Sequence, residues 1–419
     1  MAAATLTVYP EAASIDDGRL AIGGCDAVEL AREFGTPAYV VAEDDLRARA
    51  REFAGAMEHH HGERSIVAFA SKAFPCTAAL TLFREEGLAV DVASGGELHL
   101  ARRAGYGPAE IVMHGNAKSS AELRSALGTT IVLDNLDEID RLAPLLTSEA
   151  PQPVMLRITP GVQTDTHAAV ATGQAESKFG FSLTDAPIAI GRIHGLAGAE
   201  LIGLHLHIGS QLFDPEPYRQ AIAAIARLGD FPAYDLGGGF GVPYTPGGRR
   251  LSAVDQVGAM VGAAHDHLGA ERKTLTIEPG RALTAAAGVT LYTVESVKRN
   301  VATWVAVDGG MSDNLRPMLY GSPYTADVAD RLGSAEEPGE LCHLAGKHCE
   351  SGDVIARDVR LRAPRAGDVV ATPVTGAYGH ALANNYNGVP RPPVIFCSGG
   401  SARVVVRRET LEDLHARDV

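Results

Sequence analysis

Ile66-Val67-Ala68-Phe69-Ala70-Ser71-Lys72-Ala73-Phe74 is an apolar run that ends on a lysine. The run reads as a buried strand, and a lysine at the end of such a strand is not placed there for solubility. A desolvated ammonium is costly, so it shifts its pKa, pairs with a carboxylate, or forms a covalent bond such as a Schiff base. The plainer alternative is a rim lysine in a surface salt bridge. The rest of the chain favours the first reading.

Working outward from this run, short β-branched stretches alternate with helix-like ones at 66–70, 88–93, 111–113, 131–133, 154–159, 202–208, 233–236 and 275–277. Eight alternating βα units over roughly 200–250 residues predict a parallel (β/α)8 barrel in an α/β chain. The intervals suit a loop and a helix, as at 118–127 and 221–228. Polar residues close the strands. Lys72 follows the first, and Asp91 and Ser94 lie at the second. His114 and Asn116 follow the third, and Asp134 and Asn135 close the fourth. Arg157 ends the fifth, and His205 and His207 end the sixth. A glycine loop follows the seventh, and Glu278-Pro279-Gly280-Arg281 the eighth. Barrel enzymes keep their chemistry at the carboxyl ends of their strands, and a chance distribution would scatter these residues over both ends.

From about residue 285 the rhythm changes to strands and turns, at 289–297, 304–307, 341–345, 369–374, 394–397 and 403–406. This predicts a second, mostly antiparallel β-barrel or sandwich domain. The expected division is an N-terminal segment 1–40 contributing to the β domain, with a strand at 5–8, a barrel at 41–285 and the β domain at 286–419. There is no internal repeat beyond the βα rhythm and no low-complexity segment.

Composition narrows the function. The chain has 419 residues, 46% hydrophobic and 21% charged, which fits a globular protein of about two domains. Its 37 basic and 51 acidic residues give a net charge of −14, which disfavours nucleic acid and anionic membrane as partners. No stretch approaches a membrane span, and the first residues lack a basic segment followed by an apolar run. Cys25, Cys76, Cys342, Cys349 and Cys397 are scattered and form no CxxC pair, which fits a reducing cytoplasm and no thiolate metal site. His59-His60-His61 reads as a solvated helix end, since so short a tract is weak evidence for metal.

Three further features carry chemistry. Asp235-Leu236-Gly237-Gly238-Gly239-Phe240-Gly241 leaves its strand through glycines, which let backbone N–H groups wrap an anion; a ligand-free tight turn is the alternative. Barrels often hold a phosphate at the loops after strands seven and eight, and Arg281 follows strand eight. Glu278 could keep a pyridine nitrogen protonated and so turn the ring into an electron sink, or simply pair with Arg281. His205 and His207, two apart on a strand, face one side. One could stack on a planar ring while the other orients it, or the pair could ligate zinc, or both could be core histidines. In the β domain, Cys349-Glu350-Ser351-Gly352-Asp353 offers an exposed thiol beside an acid, although most single cysteines are buried and inert. Arg316 and Tyr320, in a turn-rich segment from 308 to 320, suit a substrate carboxylate.

In their order, these residues resemble the fold-type III PLP-dependent decarboxylases, and among them the diaminopimelate-decarboxylating branch. The resemblance runs from about 35 to 400. Its markers are 69–74, His114-Gly115-Asn116-Ala117-Lys118-Ser119, Ser177-Lys178-Phe179-Gly180, 205–211, 237–241, 278–281, 314–320, 349–353 and Gly376-Ala377-Tyr378. Phe69, Phe74 and Ala117 depart from the residues more usual there.

The resemblance implies a cofactor, pyridoxal 5'-phosphate, and no metal. Lys72 would carry the cofactor covalently, with Asp91 in its pocket. His207 would stack on the ring and Glu278 would pair with its nitrogen. Ser210, Gly237, Gly238, Gly239, Gly241 and Gly280 would hold the phosphate, with Tyr378 assisting. Arg281, Arg316 and Tyr320 would take the distal end of the substrate. Cys349 would be a proton donor and Glu350 a substrate contact, both reaching the neighbouring subunit's barrel, which implies a homodimer with shared sites. The implied reaction is decarboxylation of meso-2,6-diaminoheptanedioate to L-lysine in the cytoplasm.

Four rivals remain open. A relative could act on ornithine, arginine or carboxynorspermidine, although Arg281 and Arg316 favour a distal carboxylate over a distal amine. The others are an alanine racemase, a non-catalytic PLP-binding homologue and a His-x-His metallohydrolase.

Overall fold

In a computed structural model of the protein, residues 6–162, 177–332 and 339–419 are described. The described residues fall into two compact units. Those within 49–241 and 250–282 form one, and those within 1–48, 242–249 and 283–419 the other.

The first unit is a closed parallel barrel. Its strands are β1 (Ser65–Ala70), β2 (Ala89–Val92), β3 (Ile111–Met113), β4 (Thr130–Leu133), β5 (Gln152–Thr159), β6 (Ala199–Leu206), β7 (Ala233–Asp235) and β8 (Thr274–Ile277). Each pairs in parallel with its neighbour in sequence, and β8 closes the circle onto β1, with Thr276 opposite Ile66. The strands are near-continuous apolar runs because one side fills the barrel and the other packs under helices. Val90, Val92, Ile131, Leu133, Leu204 and Leu206 are all at most 1% exposed.

Gly203 in β6 shows how tight the wall is. Any Cβ there would collide with the carbonyl of Ala233, and the β5–β6 register shifts between Leu201 and Gly203. Only glycine allows this close backbone approach.

The loops leaving the strands are fastened by helix caps. Ser94 Oγ accepts from Glu97 N, Ser119 and Glu122 form a reciprocal capping box, and Asn135 Oδ1 accepts from Glu138 N. Ser94 and Asn135, both read from sequence as strand-end chemistry, are thus helix N-caps. Lys118, 2% exposed, braces two loops: its Nζ donates to Gly115 O and Val132 O at 2.7 Å and lies 3.0 Å from Glu138 Oε1.

The second unit is a mostly antiparallel sheet built on the long strand Gly288–Arg299. That strand pairs antiparallel with Ala38–Ala42, Thr303–Val307 and Val369–Pro373. The strands predicted beyond 285 are all present within one or two residues at each end. Val354–Leu361 and Ala38–Ala42 are additional strands. Leu6, Thr7 and Val8 lie in a turn, not in the expected strand, and the N-terminal residues instead form the hairpin Ala13–Asp16 and Arg19–Ile22. Leu20, Ile22, Val40, Val289, Leu291 and Ile395 make a fully buried core, each side chain contributing about 1.5–3 kcal/mol by burial. No described helix is long and apolar enough to cross a membrane.

Candidate active site

Within the barrel unit, polar side chains converge at the carboxyl ends of the strands. Glu278, just past β8 and 5% exposed, has His114 Nε2 2.6 Å from its Oε1 and His205 Nε2 3.2 Å from its Oε2. Asp91 Oδ1 lies 3.8 Å from His114 Nε2, and the two imidazoles meet edge to face at 4.7 Å.

Burial dominates the electrostatics of this cluster and separates its acids. It pushes Asp91 up to about 6 against the pull of His114. It raises Asp235 well above the carboxylate range, and the charge of Glu278 adds to the effect. It also drives His205 down to about 3, so that ring is neutral at physiological pH. Burial opposes the charge on Glu278 as well, yet the adjoining His114 and His205 outweigh it and hold Glu278 ionised. The site therefore holds Glu278 ionised beside the neutral His205 ring and an Asp235 whose carboxyl is pushed strongly toward its protonated form.

The loops after β6, β7 and β8 are laced together beside this cluster. Gly238 N donates to His207 Nδ1 at 3.3 Å, which leaves the other ring nitrogen to carry the proton. Burial, with the Lys72 and Arg157 charges adding to it, keeps that ring neutral. Glu278 N donates to Gly237 O, Tyr218 OH to Gly238 O, and Arg281 Nη2 to Ser210 Oγ at 3.0 Å. At Gly238 a Cβ would collide with Glu278 O, and Gly239 sits at φ 106°, a conformation L side chains rarely adopt. Gly241 packs against the Phe213 ring, and Gly280 against Ala70 and Ala73.

Lys72 lies in the turn Ser71–Ala73 directly after β1. It is exposed, although the strand before it and its neighbours Ser71 and Ala73 are buried, which corrects the expectation of a desolvated ammonium. Its charge still reaches Asp91 and His207. The structure thus gathers Lys72, Asp91, His207, Ser210, the glycine loop, Glu278, Gly280 and Arg281 at one end of the barrel.

The sequence reading assigned no roles to His114 or Asp235, and left His205 open between orienting or stacking on a ring, ligating zinc and packing in the core. The signal was their place at the ends of β3, β6 and β7. Together with Glu278 they present ligand atoms within 4.8 Å of one another, a set that could also hold a metal ion. His207 is not in that set, so the His-x-His pair does not act as one ligand group.

In the β unit, Arg316 and Tyr320 are the two ends of the helix Arg316–Tyr320. Cys349 and Glu350 are exposed in the turn after Glu340–Ala345, where Cys349 N donates to Asn387 Oδ1 at 3.1 Å. The other four cysteines are buried. Asp353 holds this turn to the 310–316 segment by accepting from Met311 N at 2.7 Å and His348 N at 2.9 Å. Tyr378 has φ 64°, strained for a tyrosine and of the kind that gathers at functional sites.

A glycine cradle with a hydroxyl and a guanidinium beside it, next to a buried carboxylate, defines a class. The family described as pyridoxal-dependent decarboxylase, pyridoxal binding domain, matches residues 43–285, and the chain belongs to it. Within that class its relatives are more specific. It is 46% identical to the diaminopimelate decarboxylase of Actinosynnema pretiosum subsp. auranticum, over 98% of this chain and 95% of that one. It is 43% identical to that of Bacillus subtilis, over 96% and 95%. The crystal structure of the M. jannaschii diaminopimelate decarboxylase in complex with L-lysine matches with a TM-score of 0.89 at 33% identity, covering 98% of each chain. The chain is a member of the diaminopimelate decarboxylase family.

The residues fit the cofactor of that class. Glu278 is buried and held ionised, a carboxylate whose charge suits a ring N–H. The glycine loop has no room for Cβ atoms of its own, and glycine-rich backbone of this kind suits an anion.

Proposed function

We propose that this chain decarboxylates meso-2,6-diaminoheptanedioate to L-lysine and CO2, the last step of lysine biosynthesis, using pyridoxal 5'-phosphate. The observation that carries the proposal is the ionised Glu278 beside the glycine cradle at the catalytic end of the barrel. The relatives named above supply the substrate.

When bound, the cofactor supplies an electron sink for the bond to the departing carboxylate. The chain does the rest. Lys72 anchors the group, and Asp91 lines its pocket. Glu278 holds a proton on the ring nitrogen, and His114 and His205 keep Glu278 charged and aimed. His207, fixed by Gly238 N, offers its flat face to the ring. Ser210, the loop from Gly237 to Gly241, Gly280 and Arg281 neutralise the phosphate, with Tyr378 assisting. Arg281, Arg316 and Tyr320 take the distal carboxylate, a planar anion suited to guanidinium forks. Cys349 Sγ carries the proton that replaces CO2, and Glu350 contacts the substrate.

The same proposal places the cofactor barrel within 41–285, where the segments 41–48, 242–249 and 283–285 fold with the β unit, and assigns 286–419 with the segment 1–40 to the β domain. It makes the protein a homodimer whose Cys349 and Glu350 serve the partner's barrel. What supports a partner surface is an apolar patch around their turn: Met318 and Leu319 are 45% and 49% exposed, and Met318 packs near Gly352. A cytoplasmic location accords with five cysteines that form no disulfide.

The test is direct. Purified protein with pyridoxal 5'-phosphate is offered meso-diaminopimelate, ornithine and arginine in parallel, and CO2 release is measured. Release from diaminopimelate alone is expected. Comparable release from ornithine or arginine overturns the substrate assignment, and a colourless protein that fails to take up the cofactor overturns the chemistry.

A further inference from the structure

Arg316 is a buried cation without a counter-ion among the described residues. It is 4% exposed, its Nε has no hydrogen-bond partner, and no carboxylate pairs with it among the described residues. A buried guanidinium in that state is costly unless something anionic completes it. Two tyrosines of the same unit hold it instead. Arg316 Nη1 donates to Tyr324 OH at 2.7 Å. The Tyr244 ring lies against the guanidinium, 4.3 Å from Cζ to the ring centroid, and the Tyr324 ring lies at 5.8 Å. The two rings brace each other edge to face at 5.3 Å. Tyr244 and Tyr324 are 6% and 4% exposed.

This arrangement restricts the guanidinium in two ways. The Tyr244 ring covers one face and favours a parallel, cation–π geometry. The Tyr324 hydroxyl occupies Nη1. What is left is the edge formed by Nε and Nη2, which matches both oxygens of one carboxylate. Asn314, two residues earlier and 3% exposed, likewise has neither amide atom satisfied among the described residues, so the segment carries two polar groups that await a partner.

We propose that Tyr244 and Tyr324 are specificity-determining positioning residues: they clamp Arg316 so that its free edge selects substrates with a distal carboxylate. The proposal rests on the reading of Arg316 given above and names what sets its geometry. Tyr244 lies only three residues past the glycine loop in sequence, yet it belongs to the β unit.

The test uses the full-length holoenzyme. KM and kcat for meso-diaminopimelate are measured for Tyr324→Phe, Tyr244→Leu, Tyr244→Phe and Arg316→Met. The dissociation constant of meso-diaminopimelate is measured by calorimetry on the same proteins after borohydride reduction, which stops turnover. Tyr324→Phe and Tyr244→Leu should each raise KM and Kd about tenfold with kcat within about twofold. Tyr244→Phe keeps the ring face and should stay within about threefold of wild type. Arg316→Met should raise KM by about a hundredfold. If Arg316→Met leaves KM unchanged, the assignment of Arg316 itself fails. If Arg316→Met raises KM while Tyr324→Phe and Tyr244→Leu match wild type in KM and Kd, or lose only kcat, the clamp alone is overturned. Should Tyr244→Leu fail to fold, Tyr324→Phe decides, because it removes one oxygen and keeps the ring.

Discussion

Glu278 Oε1 and His114 Nε2 lie 2.6 Å apart, joining the residue after the last barrel strand to the residue after the third. With His205 on the other oxygen, Glu278 is held well below the carboxylate range despite its burial, whereas burial raises Asp91 and Asp235. Replacing Glu278 by glutamine keeps size and shape but removes its charge. Glu278→Gln should keep most cofactor binding, read by absorbance, while kcat falls about 10²–10³-fold, the usual cost of losing one preorganised electrostatic partner. Full activity in this variant would refute the electron-sink role.

Lys72 is the anchor. Borohydride reduction followed by peptide mapping should find the pyridoxyl group on Lys72. Lys72→Ala should lose turnover by about 10³-fold or more, since the covalent handle is gone. Recovery of the label on Lys118 or Lys178 would sink the assignment. Lys118 is a poor competitor, because its ammonium is already committed to two carbonyls and Glu138.

Asp313 provides a pH test in the β unit. Burial raises it to about 7, although Tyr292 OH at 2.5 Å and Gly310 N at 2.7 Å donate to it. The sign follows from linkage: an acid whose folded pKa lies above its unfolded 3.8 binds its proton more tightly when folded. Its contribution is favourable below about pH 4 and is lost as pH rises toward 7. Asp313→Asn imitates the protonated form, so chemical denaturation between pH 4 and 7 should show a flatter stability profile than wild type. The difference at pH 7 should be a few kcal/mol at most. Parallel profiles would show that Asp313 is ionised throughout.

The sequence made the barrel legible because each strand is a short, nearly continuous apolar run stopped by a polar residue. Val354–Leu361 escaped notice because its alternation is broken: Arg357 and Asp358 are both exposed, and Asp358 sits at φ 54°. Ala38–Ala42 escaped because its partners, Gly288–Arg299 and Val394–Ser398, are about 250 and 350 residues away. In the site, chain order located Lys72, Glu278 and the glycine loop, but it could not apportion the histidines. His205 lies within β6 and His207 just beyond its end, so strand alternation governs only the first. One turns to Glu278 and the other to Gly238 N. Packing decides that, as it decides the exposure of Lys72.

The shared active site yields the sharpest test. Cys349 and Glu350 are exposed on a turn of the β unit, some 70 residues beyond Glu278, and are held rigidly by Asp353 and Asn387. Lys72→Ala and Cys349→Ala homodimers should each be nearly inactive. Mixed and allowed to exchange subunits, half the dimers become hybrids. In each hybrid, one site draws its barrel from the Cys349→Ala chain and its thiol from the Lys72→Ala chain, so it is wholly wild type, while the other carries both lesions. Activity should therefore return to about a quarter of wild type for random equal mixing. If Cys349 instead served its own barrel, every hybrid site would carry one lesion and nothing would return. Exchange is verified independently by mass spectrometry of differently tagged chains. No recovery despite exchange would reject the shared site and leave Cys349 acting within its own subunit.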